Sequence, residues 1–336
     1  MAERDSHSGR GGPVAIADTR LMRELEKQAR QQLKPPTPIQ QRGIAAASAG
    51  DSDAALSLLY QHSALCQTFL PYRDPGDAAR TWERLNGNVR LEVLAGKVLH
   101  PREERFVPVG LPFGPKARLV LMHINQQALL AQSPEIKVQD TLTSFVRRSL
   151  KLDTGGRTIR TVKDQLARLS ASSIRLGLIK EGRAMTVNSQ IVTAFDIWFP
   201  KDERQRVLWP STVWLSLDYW ESLKAHAVPL AESHIAALSH SGMALDIYAW
   251  LAQRLHRVPV GKPAFIAWPI LQAQFGQDYA RLDLFRDQGF KPALKQVLAL
   301  YRDARVAVDG RGLTLHQSKP VVLPRLQVVV DKPVET

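Results

Sequence analysis

The segment Thr158–Ser170 carries the side chains of this 336-residue chain best suited to chemistry, and that chemistry is recognition of a polyanion. Ile159, Val162, Leu166 and Leu169 recur at i, i+3, i+7 and i+10, which is one face of an α-helix. Arg160, Thr161, Lys163, Asp164, Gln165 and Arg168 are left on the other face, with Thr158 at the entry. Arginine and lysine pair with phosphates, and the arginine fork also matches the two acceptors that guanine shows in the major groove. Arg147, Arg148, Lys151 and Arg157 surround the paired glycines Gly155 and Gly156 and stand where they can grip backbone phosphates. Lys291–Asp303 repeats the pattern, with Leu294, Val297, Leu298 and Tyr301 inward and Lys291, Lys295, Gln296 and Arg302 outward. Arg311 follows at the tip of an Asp309-Gly310 turn. An amphipathic surface helix with solvated charges has the same periodicity, so the reading depends on what surrounds these segments.

The charge is placed where those segments lie. The chain carries a net +13, which draws a protein to polyanions. Residues 1–100 hold 13 basic and 11 acidic side chains, whereas residues 139–183 alone hold 10 and 4. Neutralising phosphates with such side chains releases condensed counterions, and the resulting affinity depends on salt.

The elements that must position these residues follow a recognisable order. Pro115–Ala131 is apolar almost all round and predicts a buried helix. A short strand Glu135–Val138, a helix Thr141–Leu150, the glycine turn Lys151–Arg157 and the helix Thr158–Ser170 come next. Ser173–Ile179 and Ala184–Phe199 read as a two-stranded hairpin around the turn Lys180-Glu181-Gly182-Arg183. Arg206–Leu215 reads as a further strand and Ser216–Ala225 as a helix or linker. The order then recurs: helix Ser241–Arg257, strand Pro263–Ala267, helix Trp268–Phe275, a broken helical stretch Gly276–Gly289, helix Lys291–Asp303, and a hairpin of Arg305–Val308 with Gly312–His316. Helix, strand, helix, turn, helix, hairpin is winged helix-turn-helix order, in which one helix enters the major groove.

The fold class expected is α+β: two tandem winged helix-turn-helix domains with an N-terminal extension that is partly helical and partly disordered. The expected divisions are 1–85 for the extension, 86–225 and 226–318 for the two domains, and 319–336 for a C-terminal tail. Within the extension, Thr19–Leu33 predicts a short helix ended by Pro35–Pro38, and residues 39–70 lean helical.

Other chemistries lack their motifs. There is no Gly-x-x-x-x-Gly-Lys-Ser/Thr, and Gly9–Gly12 lies in a polar tail with no lysine after it. No His-Glu-x-x-His zinc motif, Gly-x-Ser-x-Gly elbow or His-hydrophobe-His pair of the kind a rolling-circle nickase needs occurs, and His234 and His240 do not share a helix face well. Asp218 and Glu221 read as solvated helix charges, and Cys66 is the sole cysteine. No enzyme, catalytic residue, cofactor or metal is expected. No apolar run is long enough for a membrane span and no secretory leader is visible, so a cytoplasmic protein is expected.

The stretch from about Leu111 to Leu315 resembles the RepA family of plasmid replication initiators. The resemblance rests on LPFGPKARLVLMHINQQAL (111–129), GGRTIRTVKDQLARLSAS (155–172), DIYAWLAQRLHRV (246–258) and FKPALKQVLALY (290–301). It implies two winged-helix domains, binding to repeated duplex sites at a bacterial plasmid origin, opening of an adjacent AT-rich region and recruitment of host replication proteins. It also implies a homodimer through the first domain, able to repress its own gene, and DNA contact by Arg157, Arg160, Lys163, Lys291 and Lys295. A winged-helix transcriptional repressor without initiator activity is the alternative the sequence leaves open.

Overall fold

Gly114–Ala131 (α1) sits at the centre of the core, as its composition predicts. Pro115 occupies its first turn, where a missing amide proton costs nothing. Leu119, Val120, Leu121, Met122, Ile124 and Ala128 are all buried. Buried polar residues on the same helix grip a neighbouring strand: Asn125 Nδ2 donates to Tyr60 O at 3.2 Å and Gln126 Nε2 to Leu58 O at 2.6 Å.

The computed structural model describes residues 57–87, 89–100, 103–138, 144, 146–147, 156–180, 183–198, 209–276 and 278–322. All belong to the unit Arg42–Thr336. The strands before α1 are β1 (Leu58–His62), β2 (Thr81–Asn86), β3 (Val89–Leu94), β4 (Lys97–His100) and β5 (Arg105–Pro108). After α1 come β6 (Glu135–Lys137), α2 (Gly156–Ala171), β7 (Ser173–Lys180), β8 (Arg183–Ser189), β9 (Val192–Trp198) and β10 (Trp209–Leu215). Then follow α3 (Leu217–His226), β11 (Ala227–Ala231), α4 (Glu232–Leu238) and α5 (Gly242–Arg254). The last elements are β12 (Ala264–Ala267), α6 (Trp268–Phe275), helical turns over Leu282–Leu284 and Phe285–Phe290, α7 (Lys291–Leu300), β13 (Val306–Val308) and β14 (Gly312–Leu315).

Two three-stranded antiparallel sheets share one topology. In each, the last strand in sequence lies in the middle: β6-β10-β9 and β12-β14-β13. In each, a buried helix precedes the first strand (α1 or α5), and an amphipathic helix lies between the first and second strands (α2 or α7). The recurrence of element order therefore extends to the pairing of the strands. The expected helix Thr141–Leu150 and turn Lys151–Arg157 fall largely outside the described residues, and α2 begins at Gly156.

The first hairpin differs from expectation. β7 and β8 do pair, from Ile174↔Ser189 to Lys180↔Arg183. They join a four-stranded sheet of order β2-β3-β7-β8, in which Val89–Leu94 pairs with Ser173–Leu178. The expected long strand Ala184–Phe199 is two strands, and its second part, β9, pairs with β10. The break falls at Gln190-Ile191, directly after the turn-forming pair Asn188-Ser189, which the single-strand reading ran through. The partner edge for β7 comes from β3, more than seventy residues upstream, and nothing local announces it.

Residues 57–85, read as part of the extension and as leaning helical up to residue 70, instead carry β1 and most of β2. β1 pairs antiparallel with β11, from Leu58↔Ala231 to His62↔Ala227. Leu59, Leu65, Cys66, Phe69 and Leu70 are buried in the same core as α1 and α5. Phe69 stacks on Phe275 with ring centroids 4.7 Å apart, and Phe275 meets Trp250 and Phe290 edge to face. The upstream segment is thus built into the core and packs on both repeats. Burying each such side chain contributes about 1.5–3 kcal/mol.

One buried ion pair ties the repeats together. Arg118 of α1 donates from Nε and Nη2 to the two carboxylate oxygens of Asp246 of α5, each at 2.7 Å. Its other donors reach Leu70 O, Pro71 O and Gly114 O, so the whole fork is satisfied. Its guanidinium lies 4.9 Å from the Tyr72 ring centre. Among the described residues no helix is long and apolar enough to cross a membrane.

Candidate nucleic-acid interface

α2 presents a cationic face over its N-terminal half. Arg157, Arg160 and Thr161 are exposed, and Thr158 and Lys163 are half-exposed. Val162, Leu166 and Leu169 are buried on the opposite side, against α1, β9 and β10. The first turn carries no acidic residue, so the partial positive charge of the helix start adds to that of the side chains. Thr161 Oγ1 donates to Arg157 O at 3.0 Å, which leaves the oxygen lone pairs outward. Partial burial pulls the Lys163 ammonium below its ordinary range. Arg147 is exposed upstream of the helix, and Arg148 and Lys151 lie outside the described residues.

The C-terminal half of α2 corrects the sequence reading. Gln165 is fully buried, accepts from Phe113 N at 2.8 Å and donates to Asp164 Oδ2. Arg168 turns inward. Its Nη1 donates to Leu111 O at 3.2 Å, its Nε lies 2.9 Å from Asp164 Oδ2, and its guanidinium sits over the Phe113 ring. Gly110 makes room for it, because a Cβ there would stand 2.3 Å from Arg168 Nη1. Arg168 fastens the entry to α1 and is not a surface contact. The amphipathic pattern marks which residues are polar; it does not mark where a neighbouring loop will cover them.

α7 carries the second candidate face. Ala293, Leu294, Val297 and Leu300 are buried, whereas Lys295 and Gln296 are half-exposed and Pro292, Ala299 and Arg302 exposed. Lys291 is engaged: its Nζ lies 2.9 Å from Asp287 Oδ1 and 5.7 Å from the centre of the Trp268 ring. Hydrogen bonds from Arg286 and Lys291 hold the Asp287 carboxyl far below the usual carboxylate range. Gln296 pairs with the His240 ring. Arg311 stands at the β13–β14 tip with 85% of its side chain exposed.

Two features bearing on the site carry little sequence signal. Trp268 and Asp309 set the geometry of the second hairpin through backbone contacts. Phe265, read as part of an apolar strand, is half-exposed with Arg311 5.8 Å from its ring centre. One serine–histidine contact stands elsewhere, between His62 Nε2 and Ser222 Oγ at 2.9 Å. His62 Nδ1 accepts from Ala64 N, which assigns the proton to Nε2. That ring donates to the serine and cannot draw a proton from it. No cluster of metal-ligating side chains occurs among the described residues.

Domains 2 and 3 of RctB, in two crystal structures, are similar to this chain. One, a selenomethionine derivative, gives a TM-score of 0.47 at 8% identity, covering 77% of this chain and 99% of that one. The other, RctB-155-483, gives 0.44 at 7%, covering 75% and 94%. No curated protein matches. Residues 111–269 match the family model described as plasmid encoded RepA protein, a stretch that runs from the loop before α1 into the start of α6. Over this stretch, which takes in α1, α2, α5 and the strands between them, the chain is similar to plasmid-encoded RepA proteins.

Proposed function

We propose that the chain is a plasmid replication initiator that binds repeated double-stranded DNA sites at an origin through two tandem winged helix-turn-helix units. α1, β6, α2, β9 and β10 form the first unit, with β7–β8 inserted after its groove helix. α5, β12, α6, α7, β13 and β14 form the second. The observation that carries the reading is the exposed cationic half of α2, Arg157, Arg160 and Thr161, opposite a face anchored in the core. A helix held in this way can enter a major groove without unfolding its own packing. The match of residues 111–269 to plasmid-encoded RepA proteins supports initiation over other uses of the same units.

In this reading the protein binds DNA in a bacterial cytoplasm, makes and breaks no covalent bond, and needs no cofactor. Bound at the repeats, it opens the adjacent AT-rich duplex and recruits host replication proteins, and as a dimer through its first unit it represses its own gene. The test uses the DNA beside the gene. Duplexes carrying its direct repeats are expected to bind with Kd on the order of 10⁻⁸–10⁻¹¹ M, well above the affinity for random duplex. Protein supplied in trans is expected to support replication of an origin plasmid. Binding and repression without replication would make the chain a repressor, and no preference for any duplex would end the DNA reading.

A further inference from the structure

Trp268 opens α6 and touches both outward-facing parts of the second repeat. Its indole Nε1 donates to Asp309 O at 3.0 Å, and its backbone N donates to Arg311 O at 3.0 Å. Lys291, the first residue of α7, lies over its ring. The ring is 1% exposed and meets Phe290, the residue before α7, edge to face at 5.9 Å. One side chain therefore spans from the start of the helix to the tip of the hairpin.

The tip itself is rigid. The Asp309 carboxylate accepts from Arg311 N at 2.7 Å and Gly312 N at 2.9 Å, while Asp309 N donates to Gly312 O at 3.0 Å. These amide donors hold the Asp309 carboxyl below its ordinary range, so the tip keeps its carboxylate at neutral pH. Gly312 lets β14 close on β12, because a Cβ there would stand 2.1 Å from Ile266 O. Arg311 and the half-exposed Phe265 project side by side from this frame. A guanidinium is drawn into the negative potential of a narrow minor groove, and an apolar ring can wedge against a base step there.

We propose that Trp268 is a positioning residue that fixes the separation between α7 and the β13–β14 tip, so that Arg311, flanked by Phe265, reads the minor groove beside the major groove entered by α7. The inference rests on the DNA reading above and adds a groove, a reader and the residue that sets it. It predicts a preference for A·T pairs at one edge of the site, beyond the bases α7 reads.

The experiment uses the full chain and duplexes recovered by it from a random-sequence pool. At the edge positions, A·T pairs are replaced by I·C or by G·C. An I·C pair lacks the guanine N2 amine, so it looks like A·T from the minor groove and like G·C from the major groove. Wild type is expected to tolerate I·C within about twofold and to lose roughly tenfold with G·C. Arg311→Ala, a change at the exposed tip, is expected to abolish that difference. Trp268→Phe keeps a ring in the core but removes the N–H, and Asp309→Ala frees the tip by a second route. Both should shrink the I·C to G·C ratio while the salt slope stays close to wild type, in protein that circular dichroism shows to be folded at the assay temperature even where the thermal midpoint falls. Equal weakening of wild type by I·C and G·C overturns the proposal, as does an unchanged ratio in folded Trp268→Phe and Asp309→Ala. Either result leaves duplex binding standing, whereas failure to recover any preferred duplex defeats the DNA reading itself.

Discussion

Arg118 and Asp246 show how much one pair of side chains can be asked to hold. Both are buried, and the guanidinium is satisfied by two carboxylate oxygens and three carbonyls. Removing one partner leaves an uncompensated charge in the core, which costs about 3–5 kcal/mol, whereas replacing both with apolar residues costs far less. Asp246→Ala is therefore expected to lower the urea midpoint sharply, and Arg118→Met with Asp246→Leu to recover much of it. Two histidines supply a pH test. Burial lowers the pKa of His62, with His226 adding to the effect, and burial lowers that of His123; both fall from 6.5 to about 4. Both rings are neutral in the folded chain, and the unfolded chain takes up protons first as pH falls. Their stabilisation is complete above about pH 6.5 and is lost progressively between there and pH 4, by roughly 2–3 kcal/mol for each ring. Urea titrations at pH 4.5 and 7 should show this decline, and His123→Leu should remove about half of it. Neither the ion pair nor the histidine burial is legible in sequence, since both partners of each contact must first be brought together by the fold.

At the scale of elements, α2 divides into a half that meets solvent and a half that holds the core. Arg160→Ala is expected to weaken specific binding by about 1–3 kcal/mol and relax preference at one base position. Arg168→Ala should lower stability instead, through the loss of its contacts to Leu111 O and Asp164, and leave sequence preference intact. Binding profiles and urea midpoints measured on both variants separate the two roles. The sequence made α2, α5, α6, α7 and the β13–β14 hairpin legible because each declares itself locally, through a 3.6-residue period, a proline in a first turn or an Asp-Gly turn. It did not reveal that β7 and β8 leave the first repeat for the β2–β3 edge, because edge complementarity is a property of two distant segments. The cationic face of α2 was legible at its start and misread at its end, where the loop before α1 covers Gln165 and Arg168.

Across the whole molecule, the segment upstream of α1 is the part that composition disguised. Its Ala- and Ser-rich approach reads as an appendage or linker-bearing region, yet β1 closes on β11 and Phe69 stacks on Phe275. Removal of residues 1–66 is expected to abolish cooperative unfolding, measured by circular dichroism, since it uncovers Leu230 and the α1 face that Asn125 and Gln126 present to β1. The β1–β11 pairing also has a consequence for how the protein is made. A ribosome adds about 5–20 residues per second, so the stretch from Leu58 to Ala231 occupies roughly 10–35 s of synthesis. During that interval an early strand has left the tunnel without the edge it will bind, and its leucines must stay soluble, or be shielded, until translation delivers their partner.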